Sequence, residues 1–237
     1  MLFVKRISRK RGEGFGPLLG FFIIWAIFLF PSSVPAAQNT NIKILYFFST
    51  TCRHCVDARP FVISLSKEYS VQGLQFGEGQ RAVLPFPVEA GDTKIAKEVY
   101  GVAGVPTMAV LVDGKYKQKI AGTPDIQDAK VIIRALAQGA KTVTEAATEA
   151  REGQITITGW IIAKGDYFKK AQFFITDRKT ELLVKAWLPI EAAKSPVPKK
   201  RPTLMSDVIR KPVVLRGSIK KTPTGSVFQV KEELGID

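Results

Sequence analysis

The chain has 237 residues, 46% hydrophobic and 24% charged, with 35 Lys+Arg against 21 Asp+Glu. That is too apolar for a disordered protein, too charged for a multispanning membrane protein, and long enough for one large domain or two small ones. Two cysteines and one histidine exclude a disulfide-rich framework and a His-rich metal site, so any cysteine chemistry sits at Cys52 and Cys55.

Residues 1–37 read as an address. Lys5, Arg6, Arg9, Lys10 and Arg11 precede an uncharged apolar run of 14 residues from Pro17 to Phe30, and small residues follow from Ser32 to Ala37. This is the layout of a secretory signal peptide. Fourteen helical residues reach about 21 Å, short of the roughly 30 Å hydrocarbon core. Extension to Phe15 and Val34 would nearly close that gap, so an uncleaved anchor is the alternative. Both readings export the rest of the chain, with the bacterial periplasm as the expected compartment, where disulfides persist.

Residues 38–140 alternate strand-like and helical stretches. Lys43–Phe48 reads as a buried strand, followed by a helix from the cysteines to about Tyr69. Ala82–Val88 is a strand candidate weakened by Pro85 and Pro87. Thr93–Tyr100 is a short helix; Met108–Val112 and Lys117–Ala121 flank the Asp113-Gly114 turn as a hairpin; Ile126–Gln138 has apolar residues at helical spacing. That order predicts an α/β domain.

Residues 141–153, rich in Thr, Ala and Glu, read as a linker or a loose helical turn. Residues 154–237 then give strands at Gln154–Ala163, Ala171–Asp177, Glu181–Leu188, Pro212–Lys220 and Ser226–Glu232, with one helix at Leu204–Arg210. Five strands with a helix between the third and fourth is the order of an OB-like barrel, and Gly159 suits a bulge in its first strand. Residues 38–150 carry 13 Lys+Arg and 11 Asp+Glu, whereas 151–237 carry 17 and 9. The second half is the basic one. Trp160, Tyr167, Phe173, Trp187 and Phe228 are read as barrel core rather than a base-stacking platform. Nucleic acid is therefore not the expected partner. The basic surface, with Lys199-Lys200-Arg201 and Lys220-Lys221, suits anionic headgroups or an acidic partner.

The pair Cys52-Arg53-His54-Cys55 follows a strand and opens a helix. Spacing of three puts both thiols on one face of the first turn. Unpaired N–H groups and the helix dipole favour a thiolate at Cys52, and Arg53 and His54 add donors or charge beside it. Cys52 would attack a substrate disulfide and Cys55, more buried, would release the mixed disulfide. A four-residue loop gains almost no chain-entropy stabilisation from a disulfide, and zinc would need two further ligands, so no metal is expected.

With Pro60 five residues after Cys55, and with Gly104-Val105-Pro106-Thr107 before a strand and turn, residues 41–139 resemble the thioredoxin family. The resemblance implies a thioredoxin fold, with Cys52 as nucleophile, Cys55 as resolving thiol and Pro106 as a cis-proline facing them. It also implies that Val105 and Thr107 meet the substrate, the Val105 backbone pairing with an extended segment. The family's buried Asp, six residues before the first cysteine, is here Tyr46. The expected activity is exported thiol–disulfide exchange with protein thiols and disulfides. It would need no cofactor beyond the Cys52–Cys55 pair, and a membrane or periplasmic redox partner would supply or drain electrons. The alternative is a binding or assembly protein using the fold as scaffold, its C-terminal domain carrying partner or polyanion binding.

Overall fold

A computed structural model describes residues 40–149, 153–162, 172–186, 211–223 and 225–235. The expected signal segment, the Leu204–Arg210 helix, Tyr167, Trp187 and Lys199–Arg201 lie outside these residues.

Strand β1 (Ile42–Ser49) is apolar at almost every position because both of its faces are covered. Ile44, Tyr46 and Phe48 enter one core with helix α1 (Arg53–Leu65), while Leu45 and Phe47 enter a second on the opposite face. Parallel strand β2 (Ser70–Phe76) lies on one side of β1 and antiparallel β4 (Thr107–Val112) on the other. Short β3 (Val88–Ala90) and β5 (Lys115–Ala121) complete the order β3-β2-β1-β4-β5. Helix α2 (Thr93–Tyr100) follows β3, capped by the Asp92 carboxylate and ended by Gly101 at φ 63°. The predicted hairpin turn is present, with Asp113 at φ 51° and Gly114 at φ 76°.

Two expectations need correction here. The α1 helix ends at Leu65 rather than near Tyr69, and the second strand is Ser70–Phe76 rather than Ala82–Val88. The segment SVQGLQF hides its strand character because Gly73 and Gln75 occupy inward positions. Gly73 is there for space: a Cβ would lie 3.1 Å from both Phe48 and Val88. Buried Gln75 donates to the Gln80 carbonyl at 3.1 Å and accepts the Ala82 N–H at 2.8 Å. One side chain thus satisfies the backbone of a proline-rich loop that cannot join the ladder.

The predicted last helix is two helices, α3 (Thr123–Gln127) and α4 (Ala129–Ala137), meeting at Asp128. The stretch read as a linker is ordered as β6 (Lys141–Thr142) and α5 (Val143–Glu149). Val143 and Ala146 are buried in the core of the following β region, so these residues belong to it rather than bridge to it.

That region comprises β7 (Ile155–Ile162), β8 (Gln172–Thr176), β9 (Glu181–Ala186), β10 (Pro212–Thr222) and β11 (Gly225–Glu233). They pair in the order β7-β8-β9-β11-β10, and β10 returns to β7, closing a five-stranded barrel. The β9–β11 pairing is parallel and the others antiparallel, as expected for an OB-like barrel. The register shift is not at Gly159 but between β10 and β11, where Arg216 pairs with Glu232 and Gly217 with Val230, so that the extra residue is Lys231 of β11. Gly159 answers a different need, since a Cβ there would lie 2.6 Å from the Thr176 carbonyl oxygen. Phe173 and Phe228 fill the barrel core as read.

Trp160 behaves differently. Though it stands on β7, it is 1% exposed and packs into the core that holds β1, α1 and α4. Helix α4 also contacts β7 and β10, and Ala135 on it meets Val214 of the barrel. The barrel therefore helps seal the core beneath the cysteines. Removing a buried aromatic costs about 3–5 kcal/mol. Trp160→Ala is expected to lower the urea midpoint of the whole chain and to make buried Cys55 react faster with a thiol reagent. Unchanged protection of Cys55 in a destabilised barrel would show that the two parts unfold separately.

Candidate active site

The site forms where β1 ends. Ser49, Thr50 and Thr51 carry the chain from the sheet to α1, tied by a Ser49–Thr51 hydroxyl bond of 3.0 Å and by the Cys52 N–H on the Ser49 carbonyl at 3.4 Å. Cys52 is the N-cap of α1, in extended conformation at φ −85° and ψ 112°. Its Sγ accepts the Cys55 backbone N–H at 3.2 Å. A sulfur replaces the usual capping oxygen, so one of the helix's free N–H groups is directed at the thiol. Negative charge on that sulfur is what such a donor favours.

The two thiols, both free, are unequal. Cys52 is part-exposed, whereas Cys55 is 1% exposed among Tyr46, Ala58 and Val62. Burial pushes the Cys55 thiol up to about 12, and its hydrogen bond to Cys52 adds to the rise; a bond from the Ser49 backbone and the charge of Arg59 oppose it. Tyr46 is fully buried and its hydroxyl donates to the Cys55 carbonyl at 3.1 Å. Burial holds its phenol above the ordinary range, with the nearby Cys55 charge acting in the same direction. A phenol so raised keeps its proton and cannot take one from Cys55.

Pro106 is buried, and the Val105–Pro106 peptide is cis. The Val105 carbonyl lies 3.7 Å from Cys52 Sγ. Beside it runs a groove of about 280 Å³ lined by Gly104, Val105, Pro106, Lys119 and Gly122. The structure thus gathers Cys52, Cys55, Val105 and Pro106. Thr107 also lines this groove; its side chain is 2% exposed and its hydroxyl donates to the Gly104 carbonyl at 2.7 Å, which holds the turn. The His54 imidazole is exposed, with Nδ1 4.0 Å from the Asp57 carboxylate. Arg53 is exposed as well. The cation acting on the buried pair is Arg59, one to two turns farther along α1. Helical spacing from Cys55 could have identified it.

The thioredoxin family model matches residues 30–136. This part of the chain is a thioredoxin domain. Proteins with this fold are generally thiol–disulfide oxidoreductases that act on protein thiols and disulfides. Comparison with curated proteins gives no match. Among solved structures, StoA from Bacillus subtilis is 16% identical, covering 35% of this chain and 74% of its own, with a TM-score of 0.30. A candidate thiol:disulfide interchange protein DsbE from Chlorobium tepidum is 22% identical, covering 42% and 81%, with a TM-score of 0.35. Thioredoxin from Aeropyrum pernix is 26% identical, covering 39% and 75%, with a TM-score of 0.27.

The Tyr46 geometry yields a direct test. Tyr46→Phe removes one hydrogen bond, worth about 1 kcal/mol, but no proton acceptor. It is expected to lower stability by that order and leave thiol–disulfide exchange within about twofold of the wild-type rate. An about tenfold loss of exchange in a folded variant would give the phenol a part in the chemistry.

Proposed function

We propose that the protein is an exported thiol–disulfide oxidoreductase working on protein disulfides through Cys52 and Cys55, with no cofactor beyond that pair. The observation that carries this reading is the asymmetry of the dithiol: a part-exposed Cys52 sulfur capping α1, and a buried Cys55 one turn behind it.

In the reductive direction, the Cys52 thiolate attacks one sulfur of a substrate disulfide. The substrate S–S bond breaks, its second sulfur leaves as a thiolate and takes a proton, and a mixed disulfide with Cys52 remains. Cys55 then loses its proton and attacks Cys52 Sγ, so that the substrate leaves as a dithiol and the Cys52–Cys55 disulfide forms. Two electrons pass to the substrate, and a dithiol redox partner restores them. The reverse sequence oxidises a substrate dithiol. The Val105 backbone beside Cys52 suits pairing with an extended substrate segment. The basic signal-like N-terminus supports an extracytoplasmic, periplasmic location, where the redox partner would be a membrane or periplasmic protein.

Two measurements test the reading. Cys52→Ser is expected to abolish disulfide reduction in an insulin assay, whereas Cys55→Ser is expected to accumulate covalent mixed disulfides. Equal loss of the initial attack in both variants would contradict the assigned roles. The second measurement concerns pH. Only the thiolate attacks, and burial holds Cys55 protonated up to about 12, so its reactive fraction rises about tenfold per pH unit. Release of the mixed disulfide is therefore expected to accelerate steeply between about pH 6 and pH 9. A flat profile would mean that another group accepts the Cys55 proton.

A further inference from the structure

Two segments separated in sequence make the redox site: the start of α1 and the Val105–Pro106 turn. Gly122 and Thr123 join them. The Gly122 N–H donates to the Pro106 carbonyl at 2.9 Å, and the Thr123 hydroxyl donates to the His54 carbonyl at 3.0 Å. Thr123 opens α3, a helix of only five residues. So short a helix has little cohesion of its own, and its position is set by whatever anchors it.

One anchor is apolar, Ile126 buried among α1 and α4 side chains; the polar one comes from the barrel. Asp125, on α3, is 5% exposed and its carboxylate pairs with the guanidinium of Arg178 on the β8–β9 turn. The turn presents Arg178 firmly. Asp177 accepts the N–H groups of Lys179 and Thr180 at 3.0 and 2.8 Å, and Thr176 Oγ1 accepts the Arg178 N–H at 3.0 Å. Asp177 also accepts the Thr144 N–H of α5 at 2.6 Å, while Gln118 of β5 donates to the Asp177 carbonyl at 2.8 Å. Arg178 itself has φ 72°, a conformation that surrounding contacts must hold, and its guanidinium stands 5.7 Å from the centre of the Trp160 ring.

We propose that Arg178 is a positioning residue for the dithiol. Through Asp125 it fixes α3, and α3 through Gly122 and Thr123 fixes the start of α1 against the Val105–Pro106 turn. The barrel would then act on the geometry of the redox site through α3. A buried ion pair adds little net stability over an apolar contact, because desolvation offsets its attraction. What it supplies is direction, and the direction here ends at the carbonyl of the residue before Cys55.

This inference rests on the reading of Cys52–Cys55 as the working pair, and the test separates the two. In the full chain, two quantities are measured: the alkylation rate of Cys52 with iodoacetamide, and the dithiol–disulfide equilibrium against glutathione. Arg178→Gln is expected to shift both by about threefold or more, Arg178→Lys by less, and Thr123→Val in the same direction as Arg178→Gln. Because one path carries the effect, the Arg178→Gln/Thr123→Val double variant is expected to shift no further than the larger single one. A folded Arg178→Gln protein with both quantities unchanged would overturn the proposal, as would a double variant showing the product of the two shifts. If Arg178→Gln does not fold, Thr123→Val decides, since it leaves the barrel contact intact: an unaltered dithiol in that variant overturns the proposal. Failure of the wild-type pair to equilibrate with glutathione would instead refute the redox reading, while the alkylation comparison would still test the positioning.

Discussion

Everything in the thioredoxin domain depends on a strand that must be covered on both faces. With Ile44, Tyr46 and Phe48 on one side and Leu45 and Phe47 on the other, β1 has no face to offer water. Helices α1 and α4 cover the first face, and α2 and the Phe76 and Tyr100 rings cover the second. Each buried large side chain contributes roughly 1.5–3 kcal/mol, so this strand is where the domain's stability is concentrated. The same burial brings the end of β1 and the start of α1 together, and Cys52 stands at that junction.

Burial also makes the two thiols unequal. A sulfur at a helix N-cap receives an N–H and remains open to a partner, whereas a sulfur one turn later is carried into the core. Position alone therefore makes one thiol accessible and the other buried. In most settings a buried thiol needs a nearby base, and the family's buried Asp would provide a carboxylate. Tyr46 fills that space with an aromatic ring stacked on Phe48 and directs its only polar atom to a helix carbonyl. Packing is gained and a proton acceptor is lost. Arg53 and His54, beside Cys52 in the chain, do not replace that acceptor: both side chains stand in solvent.

The barrel is joined to the thioredoxin domain through its structure rather than through a tether. Trp160 completes a core belonging to the first half, α5 seals the barrel from residues adjacent to α4, and the Asp177–Thr180 turn bonds to β5, α5 and α3. Lys117 of β5 also pairs with Glu145 of α5; burial of that carboxylate is outweighed by the lysine and the Thr142 bonds, which hold it below its usual range. The joint mixes an apolar plug with directional polar contacts, which gives it both cohesion and register.

How far the sequence could be read follows from the range of the interactions. The unbroken apolar run of β1, the helical spacing of Ile126–Gln138 and the alternating strands of the barrel are local patterns, and the helix-opening position of Cys52 and Cys55 is local as well. Burial imposes its period directly on neighbouring residues, so these features were legible. Strand β2 was not, because Gly73 and Gln75 are explained only by Phe48, Phe86 and the Gln80–Ala82 backbone, contacts that folding brings together. Residues 141–149 carry no apolar period that the sequence displays, since the side chains they bury, Thr142, Val143 and Ala146, are small or polar and stand among Lys, Thr and Glu. The dithiol and its helix were written in adjacent residues. The proton environment of Cys55, the role of Trp160 and the path from Arg178 to His54 were decided by tertiary structure, because each depends on groups tens of residues apart meeting in a space that water cannot enter.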